Sequence, residues 1–371
     1  MKVLISRNEL LDAVSAVSSI IPARSTQPVL ANILISTGED KLTLTGTDRE
    51  QSLFINIPAE VEEPGSIAVG AKMLSDVIRA MDDADIRLET DDLHLNLLQG
   101  RHRIKLPGVS PQDFPEAEIV SAPTVVFTLP TSSLVEYLDL TTYAMSTYAA
   151  RPSLAGLLCQ FFPEELRMVA TDGHKLALLK KPHTFELEEK LELFIPERAA
   201  TRISSLISKT VADEVEIAAG NGAAQFSADN FRFQTKLISE KFPDYERVIP
   251  TDNDKIMIAD KEELIKCVKL MTIIANKLTS QIKFTLSKGS LELFAQDLDT
   301  GSEGTDVISV DYDGEPLEIG FNGKMLLNLL EHIPAENVRF AMLNPTTACI
   351  VEPLPQPEEY KYLSLIMPIR I

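Results

Sequence analysis

The residues of this chain best suited by type and spacing to do chemistry are Asp172 and His174, in the run Ala170-Thr171-Asp172-Gly173-His174-Lys175-Leu176. A carboxylate two positions from an imidazole could serve as the orienting group and general base of a hydrolase. No serine or cysteine nucleophile motif, Walker loop, Gly-x-Gly-x-x-Gly run or clustered metal-ligand set accompanies the pair, and the five histidines are scattered. Aspartate also returns at the same place in two other stretches. Leu42 to Asp48 reads LTLTGTD, Leu166 to Asp172 reads LRMVATD, and Leu291 to Asp297 reads LELFAQD. An aspartate common to all three is expected to cap a turn through its own backbone. His174 occurs in only one, which points to a role special to that part of the chain.

The elements that carry these residues recur as well. The three aspartates lie 124 and 125 positions apart. A strand-then-helix segment appears from Ser66, from Glu192 and from Leu317, and helix openings fall at Leu10, Leu134 and Leu264. Four kinds of element in one register make the chain three tandem copies of an α+β domain, with expected boundaries 1–123, 124–251 and 252–371. Within the first copy, Leu10, Val14, Val17 and Ile21 keep helical spacing over Glu9 to Ile21, with Ser6 as a cap. Alternating runs follow at Ile33–Ile35, Lys41–Leu44 and Ser52–Ile57. A second helix over Lys72 to Met81 precedes strand-like runs at Ile86–Glu89, Leu93–Leu98 and Arg103–Leu106. Each domain is thus itself a duplicated unit of one helix and about four strands. Such units stack side by side into arcs or rings.

Length and composition agree. The chain has 371 residues, 44% hydrophobic and 24% charged, enough for three domains with their own cores. No apolar run approaches the roughly 20 residues that span a bilayer, and MKVLISRNELLDAV is too interrupted for a signal peptide. Cys159, Cys267 and Cys349, an odd number in apolar contexts, suit a reducing cytoplasm. No metal or cofactor is expected.

The net charge of −20 argues against a polyanionic partner when taken as a sum. Its distribution matters more. The six helical segments, read as 7–20, 71–82, 132–147, 196–209, 261–277 and 323–333, together carry +1, leaving −21 for strands and loops. On the last strand of the first copy Arg101, Arg103 and Lys105 alternate onto one face, and in the third copy Asp297, Asp299 and Glu303 repeat with the same period. A basic edge and an acidic edge suit head-to-tail pairing of two copies; two solvated strand faces that never meet satisfy the pattern equally.

Several motifs in order carry a resemblance to a known family. They are Leu44-Thr45-Gly46-Thr47-Asp48, Ala170 to Leu176, Lys236-Leu237, Phe242-Pro243-Asp244-Tyr245, Arg247-Val248, Gly320-Phe321-Asn322, Glu336-Asn337-Val338-Arg339 and Met367-Pro368-Ile369-Arg370-Ile371. Over its whole length the chain resembles the bacterial DNA polymerase III β subunit, the replicative sliding clamp. The resemblance implies a ring of two head-to-tail subunits, helices inside and sheets outside, that encircles duplex DNA without catalysis. Its implied partners are the replicative polymerase, the clamp loader, other polymerases and repair proteins, and a second copy of the chain, with no membrane.

It also implies sites. A groove for short peptides (glutamine, then leucine and a terminal aromatic) would be walled by Leu154, Thr171, Gly173, His174, Lys175, Leu176, Pro243, Arg247, Val248, Met325, Thr346, Met367, Pro368, Ile369 and Arg370. The apolar tail could instead be a last core strand, or serve as both. DNA contacts would come from Arg24, Lys72, Arg79, Tyr148, Arg151, Arg198 and Arg202. Pro152-Ser153 stand where the family often has aromatics, and Lys175 where many members have arginine. The dimer surface would include Met73, Val77 and Met81 against Ile273 and Ile274, with Ile104 and Leu106 on the edge strand, while Leu74 and Ile78 face the core. Two rival readings remain: a ring-shaped scaffold that never meets DNA, and a hydrolase using Asp172 and His174.

Overall fold

Each of the six α-helices among the described residues buries a stripe spaced at three and four residues, the geometry of one helix face against a sheet. Helix α1 (Arg7–Ser18) buries Leu10, Ala13, Val14 and Val17, and α2 (Ala71–Ala80) buries Leu74 and Ile78. Helix α3 (Thr131–Thr142) uses Leu134, Tyr137, Leu138 and Thr141, and α4 (Glu197–Ile207) uses Ala199, Ala200, Ile203 and Ile207. Helix α5 (Lys261–Ile274) buries Leu264, Cys267, Val268 and Met271, and α6 (Gly323–Glu331) buries Leu326, Leu329 and Leu330. The structure is a computed structural model and describes residues 1–22, 26–120, 122–148, 151–187 and 189–371.

The helices start and stop somewhat differently from expectation. Helix α1 begins at Arg7, two residues before Glu9, and ends at Ser18 rather than Ile21, while α2 starts and ends one residue early. Ser6 precedes α1 but makes no capping bond with its side chain. Asp260 and Asn322 do cap, accepting from the amides of Glu263 at 2.8 Å and Met325 at 3.1 Å. In the outer repeats the first residue of one helix closes the end of the other. Arg7 donates to the carbonyls of Ile78 at 3.0 Å and Arg79 at 2.8 Å, and Lys261 Nζ donates to Ile333 at 2.8 Å. Cations placed there satisfy orphan carbonyls and oppose the negative helix end.

The chain folds as two compact units that do not coincide with the repeats. One comprises Met1–Ser133 with Ser205–Leu237, the other Leu134–Ser204 with Ile238–Ile371. The middle repeat is divided between them. In the first unit thirteen antiparallel strands form one sheet, and the last strand of the middle repeat, Phe231–Lys236, pairs with Gln51–Pro58 of the first. In the second unit an eight-stranded sheet is built the same way, the last strand of the chain, Lys361–Ile366, pairing with Lys175–Pro182. Each seam therefore joins the fourth strand of one repeat to the final strand of the next. The third repeat's equivalent of that fourth strand, Ser302–Ser309, is the outer strand of a separate four-stranded sheet.

One expected pattern fails here. Asp297, Asp299 and Glu303 do not share a strand face, because Asp297 ends one strand and Ser302 begins the next, with the turn between them. The helices as observed carry no net charge, so the whole excess of acid lies on strands and loops. Among the described residues no helix is long and apolar enough to cross a membrane.

Candidate functional site

Within the second unit, one strand and one tail bring the proposed groove together. The strand Glu165–Thr171 turns back into Lys175–Pro182 through Asp172, Gly173 and His174. The Asp172 carboxylate holds this turn, accepting from the amides of His174 at 2.8 Å and Lys175 at 2.9 Å. Its other oxygen pairs with Lys175 Nζ at 2.8 Å. Asp48 makes the equivalent bonds to Glu50 and Gln51, so the repeated aspartate is a turn residue. With both its oxygens engaged locally, Asp172 lacks the free carboxylate edge that an acid–base pair with His174 needs, and the exposed imidazole projects from the turn.

Gly173 has φ +90°, a conformation that a side chain disfavours. A Cβ there would lie 3.5 Å from Arg151 Nη1 and 3.7 Å from Leu154 Cδ1, which places both residues beside the turn. Arg151, expected at DNA, thus stands beside the Gly173 turn.

As the floor of the proposed groove stands the core cluster of Leu158, Val169, Leu176, Leu178, Phe194, Phe242, Tyr245 and Leu365. Leu176, expected as wall, is 2% exposed and belongs to this floor. The far wall is the 3-10 turn Tyr245–Val248, which buries Tyr245 and leaves Arg247 and Val248 in solvent. Arg247 is paired with Asp244 at 2.8 Å. Pro243 and Thr346 are exposed, Met325 is half-buried, and Met367 is 41% exposed.

The tail runs on beyond the last strand. Regular pairing ends at Ile366, and Met367 then donates its amide to the His174 carbonyl at 2.8 Å. Ile369 forms an isolated bridge to Gly320, and Gln281 Nε2 reaches the Arg370 carbonyl at 3.3 Å. A Cβ on Gly320 would sit 2.7 Å from the Ile369 oxygen and 2.6 Å from Ile371 Cγ2, so the glycine is what lets the tail lie down. Gln281, Gly320 and Ile371 were not foreseen as site residues. Gln281 lies 89 positions from Arg370, and no local pattern connects them.

The first seam is a natural comparison. Lys236 donates its amide to Glu50 at 2.9 Å, as Met367 does to His174. There the side chains are polar and closed: Lys236 Nζ pairs with Glu50 at 3.0 Å, and the buried Ser52 donates to Thr47 at 2.8 Å. At the second seam the matching side chains are apolar: Leu176 stands where Ser52 does, and Met367, 41% exposed, where Lys236 does.

For the expected DNA contacts, Arg24 lies outside the described residues. Lys72, Arg79, Arg198 and Tyr148 are exposed, and Arg202 is half-buried. For the expected dimer surface, Met73 is exposed, Val77 half-buried and Ile273 76% exposed, while Leu74 and Ile78 face the core. Met81 and Leu106 are buried, Met81 in extended backbone just past the end of the helix at Ala80. Ile274 lies over Gly304, whose missing side chain makes room for it. Asp297 is also buried, its carboxylate bonded to Asn276 at 2.9 Å, to the Asp299 amide and to Thr300. The Asn276 hydrogen bond is the largest cause holding its carboxyl below the usual range. Arg101, Arg103 and Glu303 are exposed and Ile104 is half-buried. Among the described residues no group of three or more histidines, cysteines and carboxylates could hold a metal ion.

Comparison with known proteins gives a consistent result. Residues 1–118, 128–244 and 246–370 match the family models for the N-terminal, central and C-terminal domains of the DNA polymerase III beta subunit. The chain is 31% identical to the beta sliding clamp of Pseudomonas putida and 28% identical to that of Vibrio cholerae, over the full length of both partners in each case. Among solved structures, the Pseudomonas aeruginosa sliding clamp bound to griselimycin superposes with a TM-score of 0.94 at 31% identity, and Caulobacter crescentus pol III beta with 0.91 at 30%, each with complete coverage of both chains.

Proposed function

Because the chain belongs to the DNA polymerase III beta subunit family, we propose that it is a DNA sliding clamp, a ring of two head-to-tail copies that encircles duplex DNA. The carrying observation is the repeated seam. Two fourth strands find a final strand within the chain, and among the described residues Ser302–Ser309 pairs only with Ser290–Asp297. The matching final strand, His102–Val109, meets Ser66–Gly70 only through Gly108 and Val109, which leaves its charged stretch open. Pairing these strands between copies completes the pattern and removes both edges. Carrying over the register of the two internal seams sets Lys105 opposite Glu303, and Ile104 opposite Gly304 beneath Ile274.

The charge distribution suits the reading. Helices of no net charge carrying Lys72, Arg79, Arg198, Lys266, Lys269 and Lys324 would give DNA a weak, sequence-independent grip, while acidic sheets repel it elsewhere. The groove is proposed to capture partner peptides, with Leu154, Val248 and Met367 receiving leucine and aromatic anchors. One groove shared by the polymerase, clamp loader and repair proteins makes them compete. The protein is proposed to act in the cytoplasm, without catalysis, with domain boundaries at 123 and 251.

The test is topological. Labelled protein is loaded on a nicked circular plasmid with its loader and ATP, freed of unbound protein, and the circle is cut once. Retention on the circle and loss from the linear form is the expected result. Label that stays on linear DNA would refute encirclement, and no label on either form with an active loader would favour the scaffold that never meets DNA.

A further inference from the structure

We propose that Arg167 is a positioning residue for the peptide groove, acting through Tyr245 to fix the wall that carries Arg247 and Val248; this rests on the groove reading above. Arg167 stands on the strand Glu165–Thr171, whose far end is the Asp172–Lys175 turn. Its Nη1 donates to Glu246 Oε1 at 2.7 Å and lies 3.4 Å from the Tyr245 hydroxyl, so one guanidinium grips two successive residues of the wall turn. Its Nε is paired with Glu165, and its plane lies over the Phe162 ring, 4.7 Å from the centroid. These contacts leave the guanidinium little freedom, and a planar fork loses less entropy per bond than a flexible ammonium.

The tyrosine completes the relay. Its ring belongs to the groove floor, packing edge-on to Phe242, which packs edge-on to Phe194. Its hydroxyl donates to Gln160 Oε1 at 2.8 Å, and Gln160 in turn donates to Glu192 at 2.7 Å. A buried hydroxyl held from both sides pins the turn at its first residue, and Glu246 pins it at the second. The next two residues have exposed side chains, and Val248 is 56% exposed. One strand therefore supports both walls, the Asp172 turn directly and the Tyr245–Val248 turn through Arg167. The spacing between the walls is set before a peptide arrives, which reduces the ordering cost of binding.

The test uses the full-length protein and a fluorescein-labelled peptide with glutamine, leucine and a terminal phenylalanine. Arg167→Ala is expected to weaken binding five- to tenfold, through faster dissociation. Tyr245→Phe, which keeps the ring and removes the hydroxyl, is expected to lose two- to fivefold. The double variant should be little worse than Arg167→Ala alone. Hydrogen exchange should quicken at the amides of residues 246–248 and stay unchanged in the tail from Met367. Affinities within twofold of the unmodified protein for both variants would overturn the proposal, as would exchange raised equally across both walls and the tail. If Arg167→Ala does not fold, Tyr245→Phe decides by the same criteria. Failure of the unmodified protein to bind the peptide defeats the groove reading itself, while exchange at residues 246–248 still judges the relay.

Discussion

The Met367 amide donates to the His174 carbonyl at 2.8 Å, joining the last residues of the chain to a turn almost two hundred positions earlier. This bond ties the tail to the turn beside the proposed groove, and the Ile369 bridge to Gly320 holds the tail beyond it. Deleting Met367 to Ile371 is expected to abolish peptide capture while sparing dimerisation, because regular pairing of the last strand ends at Ile366. Gly320→Ala should weaken capture without truncation, since its Cβ would displace the Ile369 carbonyl. Fluorescence polarisation with a partner peptide, beside sedimentation of the same samples, separates the two effects. Unchanged binding by the truncated protein would remove the groove assignment.

The register across the proposed dimer contact can be tested by charge exchange. Lys105→Glu or Glu303→Lys alone should weaken association, and the double exchange should restore most of it. Opposed charges across paired strands are worth roughly 0.2–1 kcal/mol each, and each ring contains the contact twice. Sedimentation equilibrium at low salt reads the difference. Two single variants and a double variant that all behave alike would mean that these strands do not meet in this register.

Acid should loosen the Asn276–Asp297 junction. The Asp297 carboxyl is held below its ordinary value, chiefly by the Asn276 amide and then by the Asp299 amide and Thr300. A folded-state value below the unfolded one stabilises at pH above the unfolded value, near 4, and that contribution is lost as the pH falls through the folded value. The loss therefore falls below about pH 4. Asn276→Ala should raise the Asp297 titration midpoint toward the ordinary carboxylate value, as followed by NMR of the carboxyl carbon. A midpoint unchanged by the substitution would show that Asn276 is not the cause.

The three thiols should be inert in the native protein. Cys159, Cys267 and Cys349 are buried and unpaired, and burial pushes the thiols of Cys159 and Cys267 up to about 12 and that of Cys349 higher still. The thiolate is the reactive form. Maleimide or iodoacetamide at pH 8 should label almost nothing until denaturant is added, and then three sites per chain. Stoichiometric labelling of any one under native conditions would contradict the packing.

The floor of the groove predicts a stability effect as well as a binding one. Leu176 is almost fully buried in the cluster with Val169, Phe242 and Leu365. Leu176→Ala should cost about 2–5 kcal/mol, since the surrounding side chains collapse only partly into the space. Urea denaturation gives the value, and a loss under about 1 kcal/mol would mean that the floor repacks freely.

The order of elements was legible in the residues because it depends on short-range periodicity. Leu10, Val14 and Val17 define a helix face by their spacing, and the aspartates at 48, 172 and 297 mark three turns in three equivalent hairpins. The turn role of Asp172 could likewise be read locally, since its bonds reach only two and three residues ahead. Helix ends were less legible: Ser6 has the composition of a cap but not its bond, and Met81 continues the apolar spacing of α2 yet lies past its end. The same spacing suits a buried residue and an exposed contact, so periodicity could not separate Met73 from Met81, or Ile104 from Leu106.

What only the tertiary structure decided are the relations across long sequence separations. The amino-acid sequence by itself determined three α+β repeats, their strands and helices, and the residues that differ between copies. It could not tell that the middle repeat is divided between two compact units, because that depends on which strand edges find partners. Nor could it reveal Gly320 beneath the tail, or Arg167 behind the Tyr245 turn, since each contact joins positions whose neighbours carry no common pattern. Hydrogen-bond geometry and burial at those junctions are properties of the folded chain, and no local pattern of apolar and polar residues encodes them.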